Sequence, residues 1–207
     1  DGLNHEELLR LFKGELCISN FSESQLGPNG VVHLCDTEEG IKARNTMHNR
    51  LKTDAFVPCG GRPNTIDINN YENFLLEDGT PSSKLIVEGA NLFVTAEARQ
   101  KLYEDAGVLI VKDSSANKGG VITSSFEICA AMLASEEEFF ENKEAIVTEV
   151  LAKLRRFAKM EAELLFREAE LYGEALPEVS QMISHAINSA TDALSAALET
   201  LPLEDQD

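Results

Sequence analysis

Short apolar or β-branched runs, each closed by turn-forming residues and separated from the next by a helical stretch, constrain this chain more than any other feature. Residues 55–59 run into Gly60-Gly61, residues 85–87 into Glu88-Gly89, and residues 108–111 into Lys112-Asp113. Runs that stay apolar rather than alternating with polar residues suit strands buried on both faces. Residues 16–18 and 31–34 are weaker candidates for two more strands. Helical stretches at 4–12, 38–50, 68–75 and 96–106 lie between them, and that alternation builds a parallel sheet covered by helices. The expected class is α/β, with only part of a doubly wound parallel sheet. The first helix, which Leu3, Leu8, Leu9, Leu11 and Phe12 line, has no strand before it in this sequence. The glycine-rich phosphate turn of a complete nucleotide-binding sheet belongs between the first strand and first helix.

A second organisation begins at Ser135. Glycine is frequent up to Gly120, after which only Gly173 follows, and Ala, Leu and Glu take over as in long helices. Residues 1–135 hold 19 acids and 12 bases, whereas residues 136–207 hold 17 acids and 6 bases. Ser135-Glu136-Glu137-Glu138 is a capping box that starts a helix. Its apolar face runs from Ile146 through Val150, Leu154, Phe157 and Leu164 to about Leu171, where Gly173 ends it. Pro177 opens another helix, with Val179, Met182, Ile183, Ile187, Leu194 and Leu198 on one side. The expected organisation is thus 1–134, a Rossmann-like region, and 135–207, a helical hairpin that packs on the sheet or on another subunit. The tail beyond Pro202 reads as disordered.

A formal charge of −18 repels phosphate backbones and anionic lipid heads, so neither nucleic acid nor membrane is expected as a partner. No uncharged apolar stretch reaches the roughly 18 residues of a membrane span, and the acidic start is unlike a signal peptide. Cys17, Cys35, Cys59 and Cys129 lack any C-x-x-C spacing, which argues against a zinc site and a disulfide scaffold and favours a reducing, intracellular compartment, cytoplasm or mitochondrial matrix. Position 1 is Asp rather than Met, which suggests a piece of a longer polypeptide. His5, His33, His48 and His185 have no metal-ligating spacing, and no G-x-S-x-G or paired nucleophile supports a hydrolase.

What stands out is a series of polar or glycine-bearing corners, each directly after an expected strand: 58–64, 88–91 and 113–121. Ligands of open parallel sheets bind beyond the carboxyl ends of the strands, where these corners lie. Gly60-Gly61 and Gly119-Gly120 lack phosphate-cradle spacing and read as tight turns using positive φ.

Glu88-Gly89-Ala90-Asn91, Thr95-Ala96-Glu97-Ala98, Gly107-Val108, Ala116-Asn117-Lys118-Gly119-Gly120-Val121 and Ser124-Ser125-Phe126-Glu127 together resemble glutamate dehydrogenase in order and spacing. Phe56-Val57-Pro58-Cys59-Gly60-Gly61-Arg62-Pro63 looks like the large NAD-dependent members. The clear resemblance covers residues 54–130, and residues 1–53 share it more loosely. It implies NAD as cofactor, with Gly60, Asn64, Gly89, Asn91 and Asn117 on its nicotinamide side. It also implies Val121 as an apolar wall against the substrate methylenes and Ser124 as donor to the side-chain carboxylate of L-glutamate. A hydroxyl placed for a carboxylate favours a diacid over leucine or phenylalanine. Ser124 also suits a helix start, and Asn91 and Asn117 also suit left-handed turn positions.

In such a family the dinucleotide glycine turn, the ribose-binding acid, the catalytic lysine and the acid/base aspartate would all precede residue 1. The expectation is therefore the carboxyl-terminal portion of a homo-oligomeric enzyme that converts L-glutamate to 2-oxoglutarate and ammonium, with no catalytic residue of its own and no activity alone. A leucine- or phenylalanine-type dehydrogenase and a noncatalytic acidic helical interaction module are the alternatives.

Overall fold

A computed structural model describes residues 2–60 and 62–200. The chain divides into two compact units, Asp1–Leu51 and Lys52–Asp207.

The larger unit is built on three parallel strands, β1 (Thr53–Phe56), β2 (Ser83–Val87) and β3 (Leu109–Val111), in that spatial order. Ala55 pairs with Leu85, and Leu85 with Leu109. The class is α/β, a partial Rossmann-like sheet. β1 starts and ends earlier than the apolar run at 55–59 predicts. Thr53 enters the ladder through its N–H to the Ser82 carbonyl, 2.8 Å, whereas Pro58 has no N–H to give. The Pro58 carbonyl instead accepts the Ala90 N–H at 2.7 Å.

Between β2 and β3 runs α3 (Ala96–Ala106), as its pattern predicts. Thr95 caps it by accepting the Ala98 N–H, and Gly107 ends it at φ 64, a left-handed conformation that costs glycine little. Ile66, Phe74, Ile86, Val94, Leu102, Val108 and Ile110 form the core between sheet and helix. Residues 68–75, expected to be helical, make one short turn over Tyr71–Phe74. Asn70 Oδ1 accepts the Asp67 N–H and Asp67 Oδ1 the Asn69 N–H, and such local bonds compete with a helix.

After β3 come α4 (Asp113–Ala116) and α5 (Gly119–Leu133), where the sequence suggested an open turn. Gly60, Gly119 and Gly120 all have ordinary negative φ, so the positive-φ reading of both doublets fails at these three positions, and Gly61 lies outside the described residues. Gly119 and Gly120 open α5 instead.

The capping box forms as expected: Ser135 Oγ accepts the Glu138 N–H and Glu138 Oε2 accepts the Ser135 N–H at 2.8 Å. It starts α6 (Glu136–Tyr172), which ends at Gly173 with φ 69. With Pro177 in its first turn, α7 (Leu176–Glu199) follows and packs along α6 and against β3. Leu165, Leu176 and Val179 are buried with Val111, Ala169 and Ile183, so the hairpin is fastened to the sheet at its turn end. Farther along, Ile187, Leu194 and Leu198 remain exposed. The tail after Pro202 lies outside the described residues.

In the smaller unit, α1 (His5–Lys13) is capped by Asn4, which accepts the Glu7 N–H. Leu11 and Phe21 are buried, while Leu3, Leu9 and Phe12 are exposed. The second helix, α2 (Glu38–Asn45), is shorter than the expected 38–50, and a separate short turn at Met47–Asn49 follows. Gly40 is needed there, because a Cβ would collide with the Leu34 carbonyl. Residues 16–18 and 31–34 form no strand. Both segments are mostly exposed, and a strand gains its stability from a paired neighbour and a buried face.

Candidate functional site

The corner that follows β2 is fastened at nearly every residue. Glu88, wholly buried, donates its N–H to the Val111 carbonyl across the sheet and accepts the Val94 N–H on Oε1 at 2.9 Å, closing the turn from one end to the other. Arg99, from the face of α3 that looks back at the turn, donates Nε–H to Glu88 Oε2 at 2.8 Å. Asp113, the first residue of α4, accepts the Leu92 N–H on Oδ2 at 2.9 Å and places Oδ1 3.8 Å from Arg99 Nη2. A buried carboxylate needs such partners, since its desolvation is otherwise unpaid. Gly89 fits because of close approach: a Cβ there would lie 3.1 Å from both Cys59 Sγ and the Pro58 carbonyl. The carboxyl end of β1 is thereby brought against the corner of β2.

On this scaffold Asn91 and Asn117 meet. Asn117 Nδ2 donates to Asn91 Oδ1 and, at 3.4 Å, reaches the Gly89 carbonyl. Asn117 ends α4 at φ −114, and Asn91 has no positive φ, so neither is a left-handed turn asparagine. Asn64 is: its φ is 58, and its N–H reaches the Leu92 carbonyl at 2.7 Å, which seats the loop after β1 on the same corner through backbone alone. Gly60 is exposed on the bend after β1. Val121 and Ser124 are exposed on the first turns of α5, and Val121 is 73% accessible. The structure thus gathers Gly89, Asn91 and Asn117 by direct bonds and ties Asn64 to the same corner. Val121 and Ser124 stand farther along the chain on α5, and Gly60 on the bend after β1.

Reading the residues alone missed the charges beneath the corner. Glu88 entered only as part of a motif, Asp113 only as a turn residue, and Arg99 not at all. One signal was available: a carboxylate directly after a buried strand leaves the sheet too early to reach water. Two further contacts brace α4 and the start of α5. Ser115 Oγ lies 2.7 Å from the Oγ of buried Ser180 on α7, and Lys118 Nζ pairs with Glu161 on α6 at 2.6 Å. Lys118, Ile122, Leu154, Phe157 and Glu161 line a hollow of about 270 Å³ between the start of α5 and α6.

Chemically, the exposed part of this corner consists of amides. The Asn117–Asn91 bond uses one donor and one acceptor of two side chains that carry several, so the pair can bind a planar amide or carboxylate group. Nothing in the trio transfers a proton or attacks a carbon.

A family model described as Glutamate/Leucine/Phenylalanine/Valine dehydrogenase matches residues 1–180. The NAD-specific glutamate dehydrogenase of Neurospora crassa is 38% identical over an alignment of 219 residues, covering 94% of this chain and 21% of that protein. A probable NAD-specific glutamate dehydrogenase of Schizosaccharomyces pombe is 45% identical over 68% of this chain and 14% of its own length. The NADP-specific glutamate dehydrogenase of Escherichia coli is 37% identical over 38% of the chain. The chain spans about a fifth or less of the length of the two NAD-specific relatives.

Proposed function

The chain belongs to the Glutamate/Leucine/Phenylalanine/Valine dehydrogenase family, and from that membership we propose that it is the carboxyl-terminal portion of a large NAD-dependent glutamate dehydrogenase. Residues 1–134 complete the NAD-binding region and residues 135–207 are its helical extension. The full protein would deaminate L-glutamate oxidatively to 2-oxoglutarate and ammonium, as a homo-oligomer. The observation that carries this reading is the meeting of Asn91 and Asn117 over Gly89 at the carboxyl edge of the sheet.

The donor set suits a nicotinamide carboxamide, a flat group with one acceptor and two donors, which an amide pair complements. NAD, when bound, supplies the hydride acceptor. The residues of this chain bind and orient: Asn91 and Asn117 hold the carboxamide, Gly89 keeps the corner close against β1, and Gly60 and Asn64 border it from the neighbouring loop. Val121 and Ser124 face the substrate, Val121 against its methylenes and Ser124 toward its distal carboxylate. Proton transfer falls to groups outside this chain, so the 207 residues alone should form no NADH from glutamate, and measurable turnover by them would contradict that assignment.

The test uses the full-length protein. Wild type should reduce NAD with glutamate, and its failure to do so would end the reading. Ser124→Ala should raise the KM for glutamate while leaving the poor turnover of leucine unchanged. Glutamate kinetics untouched by that substitution would overturn the substrate assignment and favour a leucine- or phenylalanine-type enzyme.

A further inference from the structure

Three charges lie buried behind the corner that carries Asn91. Glu88 is wholly buried, the Arg99 side chain is 8% exposed and Asp113 10%. Glu88 accepts the Val94 N–H on one oxygen and Arg99 Nε–H on the other, while Asp113 accepts the Leu92 N–H on Oδ2 and the Ser114 N–H on Oδ1, the latter lying 3.8 Å from Arg99 Nη2. The Leu92 and Val94 amides flank Phe93, which is itself in the core. The turn between β2 and α3 is therefore held by two carboxylates, with the Arg99 guanidinium between them.

We infer that Arg99 is a positioning residue for the nicotinamide side of the site: acting through Glu88 and Asp113, it sets the turn that presents Asn91 to Asn117. The inference rests on the functional reading above. Arginine suits the task because its planar fork addresses two carboxylates in different directions, which the single ammonium of lysine does not. The fork is not fully engaged. Arg99 Nη2 is buried with no hydrogen-bond partner, and its 3.8 Å separation from Asp113 Oδ1 is beyond bonding range. An unsatisfied buried donor is costly, so Arg99 is retained here at the expense of stability. The same Asp113 holds the Leu92 N–H, so its place beside Arg99 fixes the corner next to Asn91.

The experiment compares wild type with Arg99→Lys in the full-length protein, reading NADH affinity, the KM values of NAD and glutamate, melting temperature, and amide hydrogen exchange at Leu92 and Val94. Arg99→Lys should weaken NADH binding by about tenfold, as expected for a loosened rather than abolished geometry. The KM for NAD should rise with it while that for glutamate moves less, and Leu92 and Val94 should exchange faster while Ile86 and Ile110 do not. A purely structural ion pair would lower the melting temperature and leave nucleotide affinity of the folded protein unchanged, and that result overturns the inference. Should Arg99→Lys fail to fold, Asp113→Asn serves: it keeps an oxygen for the Leu92 N–H but removes the charge facing Arg99, and unchanged NADH affinity there is equally fatal. If wild type binds no NADH, the functional reading fails by itself. The clamp is then judged by exchange alone, faster at Leu92 and Val94 in its favour and unchanged against it.

Discussion

Two carboxylates, one in each unit, are built into the same local design and end in different surroundings. Glu7 accepts Arg10 Nε–H at 2.7 Å and the Ser22 N–H at 2.8 Å, fastening the loop after α1. Glu88 accepts Arg99 Nε–H at 2.8 Å and the Val94 N–H at 2.9 Å, fastening the corner after β2. The difference lies in the arginine. Arg10 is 49% exposed and so keeps water on its remaining donors, whereas Arg99 is sealed in with one donor unmet. An ion pair with one member in water is dispensable, while the same pair in a dry site commits every group around it. The design that merely pins a surface loop in one unit thus becomes, in the other, the support of the candidate site.

Removing the buried carboxylate gives the largest expected effect. Glu88→Ala strands the Arg99 charge and frees the Val94 N–H, and should cost about 3–5 kcal/mol in denaturant unfolding. Glu7→Ala should cost clearly less in the same assay, and equal losses would break the comparison. Next comes Gly89→Ala, whose methyl meets Cys59 Sγ and a Pro58 carbonyl already bonded to Ala90. Overpacking of this kind costs about 1–3 kcal/mol, and truncating Cys59 to alanine in the same chain should recover part of it.

The third test is acid. Arg10, followed by the Ser22 amide, holds the Glu7 carboxyl at about 2 against an ordinary 4.5. A depressed carboxylate stabilises the fold above its unfolded value and loses that contribution as pH falls through its folded value. The stability difference between wild type and Glu7→Gln should therefore be fully present above pH 4.5 and vanish toward pH 2, followed through the signals of Leu11 and Phe21. The smallest effect belongs to α5. Leu133 is 87% exposed, and Leu133→Ser should change the stability of the chain by less than about 0.5 kcal/mol.

Much of the fold is legible in the residues because its signals are local. Thr95 and Gly107 bound α3, and Ser135, Glu138 and Gly173 bound α6, through caps that act within a few residues. The strand runs at 85–87 and 108–111 are apolar enough to announce themselves. What escaped depends on distant partners. Val31, Val32 and Leu34 have strand-like character but no neighbour to pair with, and β1 stops where Pro58 interrupts its donors. Gly119-Gly120 looks like a turn until α4 and α5 place it at a helix start.

The candidate site divides in the same way. The corners at 88–91 and 113–121 stand out because each follows a strand; Asn91 and Asn117 within them come from the resemblance, and the structure joins the two by a hydrogen bond. Ser124 and Val121 also come from the resemblance, and both are exposed on α5. Arg99 was invisible because its partners come from residues 88 and 113, and a helical arginine by itself reads as a solvated charge.

The central claim is that the corner made by Gly89, Asn91 and Asn117 holds a nicotinamide. The most direct measurement is an experimental structure of the full-length protein with NAD bound. The account predicts the nicotinamide carboxamide within hydrogen-bond distance of Asn91 and Asn117, with the Glu88–Arg99 pair intact beneath them. A nicotinamide bound away from this corner, with both asparagines still facing only each other, would contradict it.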